Sequence, residues 1–247
     1  NITPVLALEV LDNILYAGGR DNVIGNVARW DGTTWQPMDQ GFPSDVNDLC
    51  VFNGQLIAGG DDDVVCAWNG TAWDTLGARF DERIEVLEVF NGQLYAGGRF
   101  TADVNGTPLA GLARWNGSAW EQAGPGLDSG VRGMCVAPPG LVVCGTFDST
   151  ATGSPLPQRW AIFDGTDFSV PQLSPMPEYI YDPFVSNTTS FPDGSYTMGN
   201  YLIHGTTVTD LGYVVRSSAE FQGTWFAAGL PTAYTSLTLD HAPVNGL

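Results

Sequence analysis

Lysine is absent from this chain of 247 residues, and its nine basic residues are all arginine: Arg20, Arg29, Arg79, Arg83, Arg99, Arg114, Arg132, Arg159 and Arg216. Against them stand 27 acidic residues, giving a formal net charge of −18. So acidic a surface repels phosphate backbones and anionic headgroups, which argues against nucleic acid and membrane surfaces as partners. Solubility is the plain account of the acidity; attraction of divalent cations is the sharper one. Histidine is scarce, with only His204 and His241, so a nucleophilic triad gains no support. The four cysteines, Cys50, Cys66, Cys135 and Cys144, form no CxxC pair and no zinc-type spacing with those histidines, so no zinc site is expected. No apolar run is long enough to span a bilayer, so no membrane insertion is expected. The sequence opens at Asn1 without Met or a charged-then-apolar leader, and either a removed signal peptide or a longer parent chain would explain that.

What is present is turn chemistry and a core. Hydrophobic residues make up 43% of the chain, enough to build an interior, while charged residues are only 15%. The 31 Gly and 16 Pro spread along the sequence, as many turns require.

Self-alignment then exposes a repeat. Residues 5–19 read VLALEVLDNILYAGG, 46–60 VNDLCVFNGQLIAGG, 84–98 IEVLEVFNGQLYAGG and 131–145 VRGMCVAPPGLVVCG, all without a gap. A second block follows each: NVARWDGTTW at 26–35, VVCAWNGTAW at 64–73, GLARWNGSAW at 111–120 and WAIFDGTDF at 160–168. Each block reads as a hairpin. In the first, Asn53-Gly54 and Asn91-Gly92 supply the positive φ angles of a type I′ turn. In the second, Trp30, Trp68, Trp115 and Phe163 close one strand, an Asp-Gly or Asn-Gly pair turns, and Trp35, Trp73, Trp120 and Phe168 open the next. Two hairpins make a four-stranded antiparallel sheet of about 40 to 50 residues, the size of a propeller blade. Such sheets cover their faces by stacking radially, with the repeated aromatics filling the layer between blades. The pairs Gly18-Gly19, Gly59-Gly60 and Gly97-Gly98 fall where neighbouring blades crowd together.

The phrases "FNGQLYAGGRF" and "ARWNGSAW" resemble the kelch repeat, in the degenerate version of secreted and surface bacterial proteins and of a fungal cortical polarity protein. The resemblance covers residues 5 to about 170. It implies a β-propeller and frequent extracellular location, and no common activity. The fold class is therefore all-β, a propeller of about five blades plus a closing or partial sixth. As a single domain over 1–247, its blades are expected at 5–45, 46–83, 84–130, 131–170 and 192–229. Residues 170–191, rich in proline, read as an insertion, and 230–247 as the closing or partial blade. Within the fifth, residues 196–204 match a first hairpin, and 213–216 with 223–225 supply a second.

Kelch geometry implies that the connections after the Gly-Gly pairs share one face with the connections between blades, and that this face commonly binds partners. Arg20, Asp21, Asp61, Asp62, Asp63, Arg99, Asp103 and Asp148 occupy it, with Asp45, Arg79, Asp81, Glu82, Arg83 and Asp128 beside them. Ordinary solvated loops explain the same charges. No cofactor is expected; calcium enters only through the Asp61-Asp62-Asp63 run, which lacks the alternating spacing of a calcium loop. Glu9 and Glu88 stand at equivalent places in the innermost strands, where the other repeats carry Cys50 and Cys135. There they would line an axial channel or serve as acid and base. A Cys135–Cys144 disulfide forms easily if Pro139-Gly140 is the turn; in the Asn-Gly register Cys135 faces Val142 and the bridge is strained. Five Asn-x-Ser/Thr sequons make the chain a candidate glycoprotein, although Asn69 and Asn116 are already explained as turn residues.

The leading expectation is a non-enzymatic extracellular or surface module that binds protein or glycan, or a structural subunit of a surface assembly. A homo-oligomer or filament would use Tyr179, Ile180, Tyr181 and Phe184 as its interface. The alternative is a carbohydrate-active hydrolase or lyase with paired carboxylates at the channel mouth.

Overall fold

Turn chemistry fixes the register of the first hairpin in three of the blades, while the fourth turns through Pro138-Pro139. Asp12-Asn13, Asn53-Gly54 and Asn91-Gly92 all take φ between 51° and 74°, the left-handed pair of a type I′ turn. The second hairpins turn differently. Asp31, Asn69, Asn116 and Asp164 each turn a side-chain oxygen onto the two backbone N–H groups that follow the loop glycine, as Asp31 Oδ1 does to Thr33 and Thr34 at 2.8 Å. Here an acceptor side chain, not the dipeptide alone, closes the loop.

A computed structural model describes residues 5–20, 25–38, 41–156 and 159–170, together with the strands named below beyond them. The first sheet is β1 (Val5–Leu11), β2 (Ile14–Gly19), β3 (Val27–Trp30) and β4 (Trp35–Pro37). The second is β5 (Val46–Phe52), β6 (Gln55–Gly60), β7 (Val65–Trp68) and β8 (Trp73–Thr75). The third is β9 (Ile84–Phe90), β10 (Gln93–Gly98), β11 (Leu112–Trp115) and β12 (Trp120–Gln122). The fourth is β13 (Val131–Ala137), β14 (Gly140–Gly145), β15 (Trp160–Phe163) and β16 (Phe168–Ser169). Each is antiparallel in chain order. We call them blades 1 to 4. No helix occurs among the described residues.

Further along, β17 (Thr188–Ser190), β18 (Tyr196–Met198), β19 (Tyr201–His204) and β20 (Thr207–Asp210) form a fifth four-stranded sheet, and β21 (Ser217–Phe221) pairs with β22 (Thr224–Ala228). The hairpin expected over residues 196–204 is present, but as the second and third strands of its sheet. Its first strand lies inside the stretch read as an insertion, and residues 217–228 belong to a separate sheet. The innermost strands neighbour one another in the order β1, β5, β9, β13, β17, β21, and β21 returns to β1, so the strands close a ring. Residues 230–247 lie outside the described residues.

Blades press together where the sequence repeats glycine. A Cβ on Gly18 would sit 2.7 Å from Val46, one on Gly59 2.9 Å from Ile84, and one on Gly97 2.7 Å from Val131. In each case the obstacle belongs to the first strand of the next blade. The core is accordingly inter-blade: one cluster joins Ala7, Tyr16 and Met38 to Val46, Leu49 and Leu56, and the next joins Cys50, Ile57 and Val65 to Ile84, Leu94 and Trp120. Trp30–Trp35, Trp68–Trp73 and Trp115–Trp120 stack across their strand pairs at 5.3 to 5.4 Å, as inter-blade filling requires.

Blade 4 inverts this size pattern. Cys144 stands where the other blades have the first glycine, and the residue across from it is Gly133, in place of Ala7, Asp48 or Val86. Small and large have exchanged strands, which conserves volume. The register also decides the candidate disulfide. Cys135 faces Val142, all four cysteines are free, and Cys144 Sγ donates to the Gly133 carbonyl at 3.6 Å. Cys135 and Cys144 are therefore not bridged. Burial pushes the Cys144 thiol up to about 12.

Overpacking this layer strains rotamers and backbone, at about 1–3 kcal/mol. Gly97→Val is expected to lower stability by at least that much in chemical denaturation, whereas Val104→Ala, on a side chain 61% exposed, should leave it nearly unchanged.

Candidate functional site

Two regions collect the polar side chains that sequence reasoning singled out: the axial channel and the loop face. In the channel, the innermost strand of every blade has one edge without a partner strand, and its N–H groups need acceptors. Carboxylates supply them. Glu9 Oε1 accepts from Val10 N at 2.8 Å, and Glu88 Oε1 accepts from Val89 N at 2.9 Å. Asp48 accepts from Leu49 N at 2.9 Å through Oδ1, and through Oδ2 from Leu87 N of the next blade at 2.7 Å. Asp48 thus ties two innermost strands together. Sequence reasoning found Glu9 and Glu88 and missed Asp48, which sits two residues before Cys50 at the place of Ala7, Val86 and Gly133. The signal was an acid at an apolar position of an otherwise regular repeat.

These carboxyls keep some accessible surface but are surrounded by protein, as groups lining a narrow channel are. Burial pushes Glu9 up to about 6, Glu88 to about 7 and Asp48 to about 8, with the amide hydrogen bonds opposing. Mutual repulsion adds to the rise at Asp48 and Glu88. Burial likewise raises the Cys50 thiol well above its usual range.

On the loop face the candidates form separate local pairs. Arg20 Nε meets Asp45 Oδ2 at 3.0 Å, linking the loop after β2 to the connection into blade 2. Asp61 Oδ1 accepts from Asn47 Nδ2 at 2.8 Å. Arg79 Nη2 donates to the Asp62 carbonyl at 2.6 Å and to its carboxylate at 3.2 Å. Asp63 instead receives Phe80 N on its backbone carbonyl at 2.8 Å. Arg99 and Arg83 share Glu85 Oε1 at 3.1 and 2.9 Å. Arg159 Nε meets Asp148 Oδ1 at 3.3 Å. Exposed pairs of this kind contribute little stability, so their effect is to position loops. Asp21 lies outside the described residues, as do Tyr179, Ile180, Tyr181 and Phe184. Glu85, the acceptor shared by two arginines, escaped the sequence reading because it sits inside a strand.

In the run Asp61-Asp62-Asp63 the first two carboxylates turn to different partners, Asn47 and Arg79. Among the described residues no group of three His, Cys, Asp or Glu could hold a metal ion.

The longer loops of blades 3 and 4 are folded units. Ala102 bridges Pro108 and Phe80 bridges Asp103; at the equivalent places Ser149 bridges Pro155 and Leu127 bridges Thr150. Each unit is anchored to the preceding connection by one carboxylate. Asp81 accepts from Thr101 N at 2.8 Å and Thr101 Oγ1 at 2.6 Å; Asp128 accepts from Asp148 N at 3.1 Å and Ser149 Oγ at 2.9 Å. Asp103 Oδ1 turns the tip by accepting from Asn105 N and Thr107 N, and those bonds hold its carboxyl below the usual range. The tip presents Val104, 61% exposed.

The channel carboxyls make stability depend on pH. Their folded-state values lie above the unfolded ones, so the native state holds protons more tightly. Their favourable contribution is complete below the unfolded values and is lost as pH rises through the window from about 6 to about 8. Asp31, Asp103, Asp164 and Glu121 are held low by hydrogen bonds and act in the opposite sense, losing their contribution in acid. Thermal unfolding is thus expected to be most resistant near about pH 5 and to weaken steadily towards pH 9. Asp48→Asn with Glu88→Gln should flatten that decline.

No protein-family model and no curated protein matches the chain. Among solved structures it is similar to the WD40 β-propeller domain of Doa1, with 14% identity and a TM-score of 0.56 over 90% of this chain and 75% of that one. It is also similar to a chain in the structure of the mitotic checkpoint complex, with 19% identity and a TM-score of 0.54 over 80% of this chain and 57% of that one. At these identities the likeness is one of fold, and it agrees with the sheets described above: the chain is an all-β propeller.

Proposed function

We propose that this propeller is a non-enzymatic recognition module that takes a protein partner on its loop face, in an extracellular or surface setting. One observation carries the reading: the loops after β10 and β14 are pre-folded by their own bridges and anchored through Asp81 and Asp128. A surface ordered before binding loses less entropy when it docks. Val104 at the tip gives that surface an apolar contact beside paired charges, the mixture that interfaces use. The solved propellers similar to this chain include one within a multiprotein complex, which favours the same reading. The extracellular setting and the kelch-like type rest on the repeat phrases of blades 1 to 4.

The channel carboxyls support a structural role over hydrolysis, because Glu9, Asp48 and Glu88 all spend an oxygen on backbone N–H groups.

Recovery of a partner from the protein's native medium supplies the assay. Val104→Asp should weaken recovery by about tenfold or more, as loss of an interface anchor does. Thr33→Ala, in a turn between β3 and β4 on the opposite face, should leave recovery intact. Equal recovery with V104D, or loss with T33A, would contradict the reading.

A further inference from the structure

The gapless repeats provide an internal control: the same positions can be compared at successive blade junctions. In blade 3, Tyr95 pairs with Arg114 and Arg114 with Glu121 across the strands. Glu121 takes the Arg114 guanidinium through Nη2 and, at 3.0 Å, through Nε, and Gln93 accepts from Nη1 at 3.2 Å. The corresponding set in blade 1 is Tyr16, Arg29 and Gln36, in the same register. There the carboxylate has become an amide, and the place of Gln93 is taken by Ile14. Gln36 Nε2 turns away, donating to Asp31 Oδ2 and Thr34 Oγ1 at 2.8 Å each. Arg29 is left exposed, with no hydrogen bond or ion pair among the described residues. Among the described residues every arginine but Arg29 and Arg132 meets a carboxylate, and of those two Arg29 is the exposed one.

The junction beside it is also open. Between blades 2 and 3, Trp120 Nε1 donates to the Leu76 carbonyl at 2.7 Å. Gly77 lies so close to Trp115 and Trp120 that a Cβ would come within 2.8 Å of the first. Between blades 1 and 2 the equivalent clasp is missing among the described residues: Trp73 Nε1 is buried and has no hydrogen-bond partner there. In its place a cleft of about 330 Å³ opens, lined by Tyr16, Arg29, Pro37, Met38, Trp68 and Thr71, with Gly70.

We propose that this cleft binds a single six-membered ring bearing a carboxylate, a uronic acid residue of an acidic glycan, with Arg29 holding the carboxylate. The lining fits that class. A lone guanidinium fork matches a planar carboxylate with two parallel bonds. A phosphate would bring up to two charges against a strongly acidic protein, where a carboxylate brings one. Tyr16 and Thr71 offer hydroxyls to the ring's own hydroxyls, while Trp68 and Met38 supply an apolar wall for its C–H face. The volume lies at the small end of ligand sites, the size of one ring rather than several. The site stands apart from the loop face and does not depend on that reading.

The test is a titration of the whole chain, followed by the indole N–H resonances of Trp68, Trp73 and Trp120. Glucuronate should shift Trp68 and Trp73 saturably and leave Trp120 unmoved, and glucose, which lacks the carboxylate, should bind about tenfold more weakly or worse. Gln36→Glu rebuilds on Arg29 the pair that Glu121 makes with Arg114, so it should abolish the glucuronate shift while the Trp120 signal reports an intact fold. Arg29→Gln should abolish it as well. Polygalacturonate binding through the same resonances would identify the glycan-borne residue as the source. The proposal is overturned if glucuronate gives no saturable shift, if glucose or inorganic phosphate matches it, or if Q36E binds like the parent.

Discussion

Everything in this propeller hangs on the distance at which one blade meets the next. The sheets are short and each presents two apolar faces, so none can stand alone; stability comes from the layer between them. That layer is closed by backbone brought up against side chain. Gly18, Gly59 and Gly97 leave room for Val46, Ile84 and Val131, and the second glycine of the pair brings its backbone against the connection before the blade's own first strand, as Gly60 does to Asp45. Where glycine is lost at Cys144, glycine reappears across the strand pair at Gly133. The exchange shows that total volume is the constraint, more than the identity of either residue.

Closing a ring of sheets leaves one cost at its centre. Each innermost strand has an unpaired edge, and Glu9, Asp48 and Glu88 provide acceptors for its N–H groups. The remedy makes the core sensitive to pH, because buried carboxylates resist ionisation. Glu9 and Glu88, which sequence reasoning weighed as acid and base, each accept a backbone N–H in this architecture. Both proposals fall where the repeat departs from itself: the extended loops of blades 3 and 4, and the open junction beside Arg29.

The sequence made the first four blades legible because three independent signals agreed there: apolar runs, Asn-Gly turns and evenly spaced aromatics. Beyond Ser169 those signals separate. A hairpin at Tyr196–Met198 and Tyr201–His204 could be read, yet not its place in the sheet, because a three-residue strand such as Thr188–Ser190 carries too little pattern to announce itself. The loop-face charges were found, but not their pairings: Glu85 serves Arg83 and Arg99 only once β9 and β10 are side by side. Arg29 was invisible as a site for a different reason. Its distinction is an absence, the missing counterpart of Glu121, and that appears only when two blades are compared atom by atom.

The central claim is that blades interlock by size at the glycine positions, and a double-mutant cycle on Gly59 and Ile84 tests it most directly. Gly59→Ala places a methyl against Ile84, whose Cγ2 lies 2.9 Å from the added Cβ; Ile84→Ala removes that atom. If the account is right, each change alone destabilises the protein and the double variant is more stable than their sum predicts. The expected coupling is about 0.5–3 kcal/mol. Strict additivity of the two changes would contradict it.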